Sequence, residues 1–444
     1  MYQVQDSVAL LRARRGFAAA RRTGRPFVAR TVLLLGLTSL FTDISSEMVS
    51  AVLPLYYVQV LGLNPLQIGV LNGIYQGGSA VARLLFGFLA DRMSRYREVA
   101  GLGYGLSAIC KLGLLMTAAF SGITALLLID RIGKGIRTAP RDAMISLSSP
   151  KDELGTAFGV HRAMDTCGAM IGPLLGFALL ALTPREFHGI FLVSFCFALI
   201  GVAILLLLVE DPAREEQAEV RAAAPMSSQP PAPAPAEPAA AEDSRLTLRG
   251  ASALLRGGPL GGLVVVAFVL GLATIGDAFL YLQLDDRLNL DTSLFPLLYV
   301  GTSSIFMVMA VPAGRLSDRI GRAKVFTFGY GILLALYAVL LSGADSGLLL
   351  PLTLLGLGIF YASTDGVLAA LGSAAVPAAA RGTGLAALGT ATGFAQFGAS
   401  VAFGALWASV GVHTAFLVFT VGLAVALPVA GAFLLRGRAT AAGA

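Results

Sequence analysis

Charge is what this sequence has least of. Asp, Glu, Lys and Arg make up 13% of its 444 residues, against roughly 25% in an ordinary soluble protein. A water-soluble globule needs polar residues to cover its exterior, so a soluble enzyme and a nucleic-acid-binding domain are both excluded. Cysteine is almost as scarce: Cys110, Cys167 and Cys196 sit in apolar stretches without metal-type spacing. This excludes a disulfide frame and a zinc site. The chain also lacks a nucleotide-binding glycine loop, a nucleophile–base set and a G-x-x-x-x-G-K-[ST] sequence, so neither enzymatic activity, nor a cofactor or metal, nor ATP-driven work is expected.

Apolar residues are what remains. They account for 56% of the chain, and the mean hydropathy is +0.78. A hydrocarbon core about 30 Å thick takes about 20 apolar residues per helix. On that basis twelve spans are expected, at 31–60, 66–90, 98–119, 122–147, 156–181, 187–209, 260–282, 293–314, 323–342, 347–370, 383–407 and 412–435. The fold class is therefore an all-α polytopic membrane protein of twelve transmembrane helices.

The +6 charge then has a location. With the amino terminus inside, the loop arginines and lysines fall on the cytoplasmic side, except Arg185 and Arg287. This places both termini in the cytoplasm of a multi-pass inner-membrane protein. Residues 1–30 form a basic tail with seven arginines from Arg12 to Arg30, suited to topology anchoring and to anionic lipid headgroups. Residues 31–210 hold the first six spans and 259–435 the last six. The intervening 211–258 contains a Pro/Ala-rich run, AAAPMSSQPPAPAPAEPAAA, which cannot bury a core and reads as an extended cytoplasmic tether. Residues 436–444 are a second cytoplasmic tail.

The two halves repeat one another. Gly87-Phe-Leu-Ala-Asp91-Arg92-Met-Ser-Arg95 recurs as Gly314-Arg-Leu-Ser-Asp318-Arg319-Ile-Gly-Arg322, 227 residues on. Pro150 and Pro377, and Gly155-Thr156 and Gly382-Thr383, keep the same offset. Agreement at three separate places indicates duplicated halves related by an axis along the membrane normal.

On these residues the chain resembles the major facilitator superfamily, from about 31 to 435. The twice-occurring G-x-L-[AS]-D-R-x-x-R loop is similar to its motif A, and DRIGKGIRTAPRDA at 130–143 is similar to a prokaryotic branch. The resemblance implies two six-helix halves around a substrate path. Gly87 removes a side chain where span 2 meets a neighbour, and Asp91 can point at a positive helix N-terminus. The partners implied are the start of span 11 for Asp91 and the start of span 5 for Asp318. Arg92, Arg95, Arg319 and Arg322 would hold these carboxylates, making a cytoplasmic gate latch of both loops. Asp91→Asn is expected to weaken the outward-open state; unchanged transport and accessibility would refute that role.

An ionisable group within the membrane costs about 3 kcal/mol on insertion scales, so each needs a partner, water or a function. The first half holds Asp43, Glu47, Arg83, Lys111, Asp130, Arg131, Lys134, Arg137, Arg141, His161, Arg162 and Asp165; the second holds only Asp277 and Asp365. Asp130, Lys134, Arg137 and Arg141 fall within about 60° of arc on span 4. Ser39, Asp43, Ser46, Glu47, Ser50 and Pro54 share a face of span 1, and His161 and Asp165 share one of span 5 with Gly168 and Gly172. Convergence of spans 1, 4 and 5 on a common polar cavity would satisfy all three stripes. Internal salt bridges are the alternative. The surplus of first-half cations favours an anionic or acid-bearing substrate.

Arg131-Ile-Gly-Lys134-Gly135 resembles motif B, with Lys134 in place of the usual Gln, and this implies a part for Arg131 in proton coupling. Asp43 or Glu47 is the expected proton carrier, with His161 as an alternative because its ordinary pKa is near 6.5. Gly168-x-x-x-Gly172-Pro173-x-x-Gly176 resembles motif C, associated with proton-linked exporters, although Phe177 stands where a second glycine often occurs; these small residues also suit helix packing. The expected function is thus secondary active transport by alternating access, a proton-coupled antiport exporting a small polar or acidic compound, by a monomer. A proton-coupled importer or uniporter, and a lipid flippase of a different class, are the alternatives.

Overall fold

Lipid offers no hydrogen bonds to the backbone, so a chain this apolar must close its N–H and C=O groups within helices. The computed structural model describes residues 29–79, 95–149, 154–210, 259–342, 347–376 and 381–441. These form α1 (Arg30–Leu55), α2 (Pro65–Gly77), α3 (Tyr96–Gly113), α4 (Phe120–Leu147), α5 (Leu154–Leu182), α6 (Phe187–Leu208), α7 (Pro259–Leu272), α8 (Asp277–Leu288), α9 (Phe295–Ile320), α10 (Arg322–Leu341), α11 (Leu349–Ala374), α12 (Arg381–Val410) and α13 (Val412–Ala441), with no strand among them.

Among the described residues, nine helical stretches are long and apolar enough to cross a membrane. The other three expected spans are α2, α3 and α4. The expected continuation of α2 lies outside the described residues, whereas Arg97, Glu98 and Lys111 in α3 and the five charges from Asp130 to Arg141 in α4 lower their hydropathy. The bundle exterior is apolar, as at Leu102, Met116, Leu207 and Val429, all more than two-thirds exposed. These side chains face the position lipid would occupy.

Local sequence explains several boundaries. Asn64 opens α2 with a capping box: its carboxamide oxygen accepts from the Gln67 N–H at 2.9 Å, its own N–H donates to Gln67 Oε1 at 3.1 Å, and Pro65 occupies the first turn. Asp291 accepts from the Ser293 N–H and hydroxyl at 2.8 and 2.7 Å in the loop before α9, and these bonds hold its carboxyl below the usual range. After Pro54, α1 ends in a π-helical turn over Tyr56–Val60. The seventh expected span, 260–282, is not continuous. It breaks between α7 and α8 at residues 273–276, where the Ile275 N–H donates to the Tyr337 hydroxyl at 2.7 Å.

Within the first half α1 packs along α5 and α6, and α3 along α4; in the second, α11 lies between α9 and α10. The α1–α5 contact is close because α5 presents glycines. A methyl group at Gly168 would stand 2.5 Å from the Leu40 carbonyl oxygen, and one at Gly172 would stand 2.7 Å from that of Ile44. The second half has a cluster of edge-to-face and tilted rings: Phe403 packs against Phe279, Trp407, Phe416 and Phe419 at centroid distances of 4.9 to 6.0 Å.

Candidate functional site

Three clusters of polar residues are assembled inside the bundle. The deepest joins α3 to α4. Asp130 accepts from Lys111 Nζ at 2.5 Å and is also bridged by the Arg131 guanidinium, all three side chains being at most 6% exposed. The Arg131 guanidinium lies over the Tyr75 ring at 4.0 Å, tying α4 to α2. A cavity beside this triad, lined by Ser46, Tyr75, Lys111, Asp130 and Arg131 among others, has space for about one water molecule. Three α1 neighbours of the triad, Val49, Leu53 and Ser46, are apolar or small, so Asp130 is fully engaged by its two cations.

The second cluster joins α1, α4 and α5. The Asp43 and Asp165 carboxyls face one another. Arg137 stands 3.9 Å from Asp43 and lies over the Tyr104 ring at 4.5 Å. Arg141 reaches Asp142 at 2.9 Å, Asp165 at 3.8 Å and the Ser39 hydroxyl at 3.3 Å. His161 is buried and shares a 3.0 Å hydrogen bond with Ser39. Arg162 pairs with Asp165 at 3.6 Å, but its own side chain is 80% exposed. Glu47 accepts a 2.8 Å hydrogen bond from Ser50. Lys134 sits in the electrostatic field of both Glu47 and Asp43 without reaching ion-pair distance of either. The structure thus unites the stripes of spans 1, 4 and 5 through ion pairs and hydrogen bonds, and adds span 3 through Lys111.

The third cluster lies in the second half. Asp277 is the first residue of α8, at the break in the span, and accepts a 2.5 Å hydrogen bond from the Tyr361 hydroxyl of α11. Asp365, one turn along α11, is exposed and within electrostatic reach of Asp277. Tyr281 packs against Tyr299 at 4.6 Å and donates to Thr302 at 2.7 Å. Tyr299 also lies in the electrostatic field of Tyr75 and Glu47 of the first half.

Of the expected gate, Gly87, Asp91 and Arg92 lie outside the described residues, as do Arg83, the basic tail through residue 28, the 211–258 tether, Pro150 and Pro377. Arg95 is exposed immediately before α3. In the second copy Asp318 is bridged at 3.4 Å by Arg322, which also donates to the Ala370 carbonyl at 3.3 Å and so ties the start of α10 to the end of α11. Arg319 is exposed, and a methyl group at Gly314 would meet open space. Gly168, Gly172, Pro173 and Gly176 all line the α5 face; Gly176 makes ordinary contact with α1, 3.5 Å from the Met48 carbonyl oxygen.

Two features lay beyond the sequence reading. One is the tyrosine set. The other is a backbone seam where α2 lies against α12. Methyl groups at Gly69, Gly73 and Gly77 would stand 2.5 Å from the Ser400 carbonyl oxygen, 3.0 Å from Phe397 and 2.7 Å from the Gly393 carbonyl oxygen. Asn72 donates to Ser400 at 2.8 Å across the same seam, and Gln59 to Thr292 at 3.4 Å beside it. The four-residue spacing of the glycines was the available signal.

Two helical halves, polar clusters buried between spans and a seam that joins the halves at one end define a membrane transporter. The sequence matches the Major Facilitator Superfamily over residues 35–400 and again over 286–443, and the chain belongs to that family. It is 29% identical over 364 residues to an uncharacterised MFS-type transporter of Methanocaldococcus jannaschii, covering 80% of this chain and 84% of that one. Among solved structures it is similar to the nucleoside transporter NupG in a D323A mutant form, with a TM-score of 0.73 at 15% identity over 91% of this chain and 100% of the other. It is also similar to a bacterial homologue of the lysosomal transporter Spinster in an inward-facing, unoccupied conformation, with a TM-score of 0.70 at 15% identity over 91% and 97%. At that identity the likeness to both concerns the fold alone.

Proposed function

We propose that this protein is a proton-coupled antiporter of a prokaryotic inner membrane, exporting a small polar or acidic compound by alternating access as a monomer with both termini in the cytoplasm. The observation that carries the reading is the facing pair Asp43 and Asp165, flanked by Arg137 and Arg141. Two ionised carboxylates repel, whereas a proton on either turns the contact into a hydrogen bond. Asp43 therefore switches its attachment between α5 and the α4 cations as the proton arrives and leaves. Lys134, at the position usually held by glutamine in motif B, adds a cation that can bind the acidic group of the cargo while the proton is away.

With the termini in the cytoplasm, the seam between α2 and α12 closes the external side. The direction of export is supported by Gly168, Gly172 and Pro173, the motif-C residues, which bring α5 onto α1 at the level of Asp43. The span-4 sequence and the archaeal relative support a prokaryotic branch. The basic tail supports contact with anionic lipids.

Flux into proteoliposomes under an imposed pH gradient tests this reading. Asp43→Asn, which mimics the protonated state, is expected to lose gradient-driven flux and to retain exchange of substrate across the membrane at equal pH. Gradient-driven flux at the level of the unaltered protein would overturn the assignment of Asp43, and flux indifferent to the gradient in both would make the protein a uniporter.

A further inference from the structure

The two halves differ in the charge they hold within their spans. The first half holds Lys134 and Arg137 beside Asp43 and Glu47. Arg137 is 3% exposed, and its Nη1 makes no hydrogen bond among the described residues. On the second-half side are Asp277 and Asp365. Asp277 has a tyrosine hydroxyl and no cation as its partner among the described residues. No lysine or arginine lies within the spans of that half away from their ends. Tyr299 packs on Tyr281 at 4.6 Å and lies in the electrostatic field of Asp277 and of the first-half residues Glu47 and Tyr75. Tyr330, Tyr361, Tyr281 and Tyr299 come from α10, α11, α8 and α9, so four helices direct rings or hydroxyls toward the neighbourhood of the two carboxyls.

We infer that the cargo is zwitterionic, a small compound whose anionic group is bound by the Lys134 side of the first half and whose protonated amine is bound by Asp277 and Asp365 among the tyrosines. A carboxylate within a span requires a counter-charge or water, and aromatic faces together with carboxylates suit an ammonium group. A plain anion would leave the second-half acids without a cation, and a plain amine would leave Lys134 without an ion pair and Arg137 Nη1 without a hydrogen bond. A zwitterion compensates both and pulls the halves together as it does so. The inference rests on the reading of this protein as a transporter whose cargo binds between its halves, and adds the substrate class.

The test uses the purified full chain in detergent and in proteoliposomes. The probes are glycine, 4-aminobutanoate and glycylglycine, with acetate and butanoate as carboxylate-only counterparts and methylamine and butylamine as amine-only counterparts. At least one zwitterion is expected to raise the thermal unfolding temperature with an apparent affinity about tenfold or more above those of its counterparts, the effect of one additional charged hydrogen bond. In Asp277→Asn and Asp365→Asn that preference is expected to fall to the carboxylate-only level; in Lys134→Met it falls to the amine-only level. Tyr361→Phe keeps the ring and removes the bond to Asp277, and serves as the reporting variant if Asp277→Asn does not fold.

Butanoate binding as tightly as 4-aminobutanoate, or the absence of binding by all three zwitterions, would overturn the inference. Gradient-driven flux of the carboxylates in either case would leave proton-coupled transport standing. Zwitterion binding without gradient-driven flux would instead remove the proton coupling and keep the substrate class. Equal loss of coupling for all probes in Asp365→Asn, with the zwitterion preference intact, would assign that carboxyl to the proton and overturn its role in amine binding.

Discussion

Asp130→Ala is expected to destabilise the protein by about 3–5 kcal/mol, the cost of breaking a buried ion pair from one side. The substitution leaves Lys111 and Arg131 adjacent, nearly fully buried and without their common carboxylate. Thermal unfolding of purified protein and the monodisperse fraction on gel filtration would both report it. Lys111→Met alone removes one of two cations from an acid that keeps the other, so its effect should be smaller. The double variant Lys111→Met/Asp130→Asn should recover part of the loss, because the two residues share one interaction and their effects are not additive. An unchanged unfolding temperature in Asp130→Ala would show that the triad does not hold α3 to α4. The same geometry separates Asp130 from Asp43. The former is closed between two cations at hydrogen-bond distance, and the latter has one cation at 3.9 Å and a carboxyl opposite. Structural ion pairing therefore suits Asp130, and proton exchange suits Asp43.

Gly73→Leu is expected to hold the far end of the bundle apart. A methyl group there already stands 3.0 Å from Phe397, and three further carbons have no space between α2 and α12. Overpacking of this kind costs about 1–3 kcal/mol, which shifts a two-state equilibrium roughly 5- to 150-fold toward the open seam. The seam can be read by cross-linking Gln59→Cys and Thr292→Cys with a short bismaleimide, since the native side chains meet at 3.4 Å across the same end. Cross-linking should be efficient in the parent and much reduced with Gly73→Leu, and transport should be lost while the protein remains folded. Efficient cross-linking with Leu at position 73 would mean that the seam accommodates the side chain and that the glycines are not required for closure.

The spans and the duplication were legible because both depend on pattern. Runs of apolar residues have the length of a bilayer, and Gly87, Asp91 and Arg95 recur as Gly314, Asp318 and Arg322 at one fixed offset. The intramembrane charges were legible for a related reason: in so apolar a chain each one stands out. Their partners were not. Lys111 and Asp130 belong to different spans, and helical periodicity gives the face of each residue without giving the neighbour that face meets. Asp318 is paired with Arg322 at the start of the next helix, whereas the side chains at the start of α5 lie outside the described residues. The break in span 7 was hidden because Leu-Ala-Thr-Ile-Gly before Asp277 is apolar enough to pass for continuous helix. The tyrosines do not stand out because the composition counts them with the apolar residues, although Tyr281 and Tyr337 use their hydroxyls in buried hydrogen bonds and Tyr361 in a half-buried one.

The two halves are held together by different kinds of contact. The first is cross-braced at mid-depth by ion pairs linking α1, α3, α4 and α5, and α5 rides on α1 with glycine against backbone. The second is joined by ring contacts and is interrupted where α7 gives way to α8. Ring contacts tolerate sliding, and an interrupted helix can bend at its gap, whereas an ion-pair brace loses its energy once displaced by an ångström or two. When the two ends of the path exchange access, the first half is therefore the anvil and the second the part that deforms, so strain from cargo binding should collect at residues 273–276.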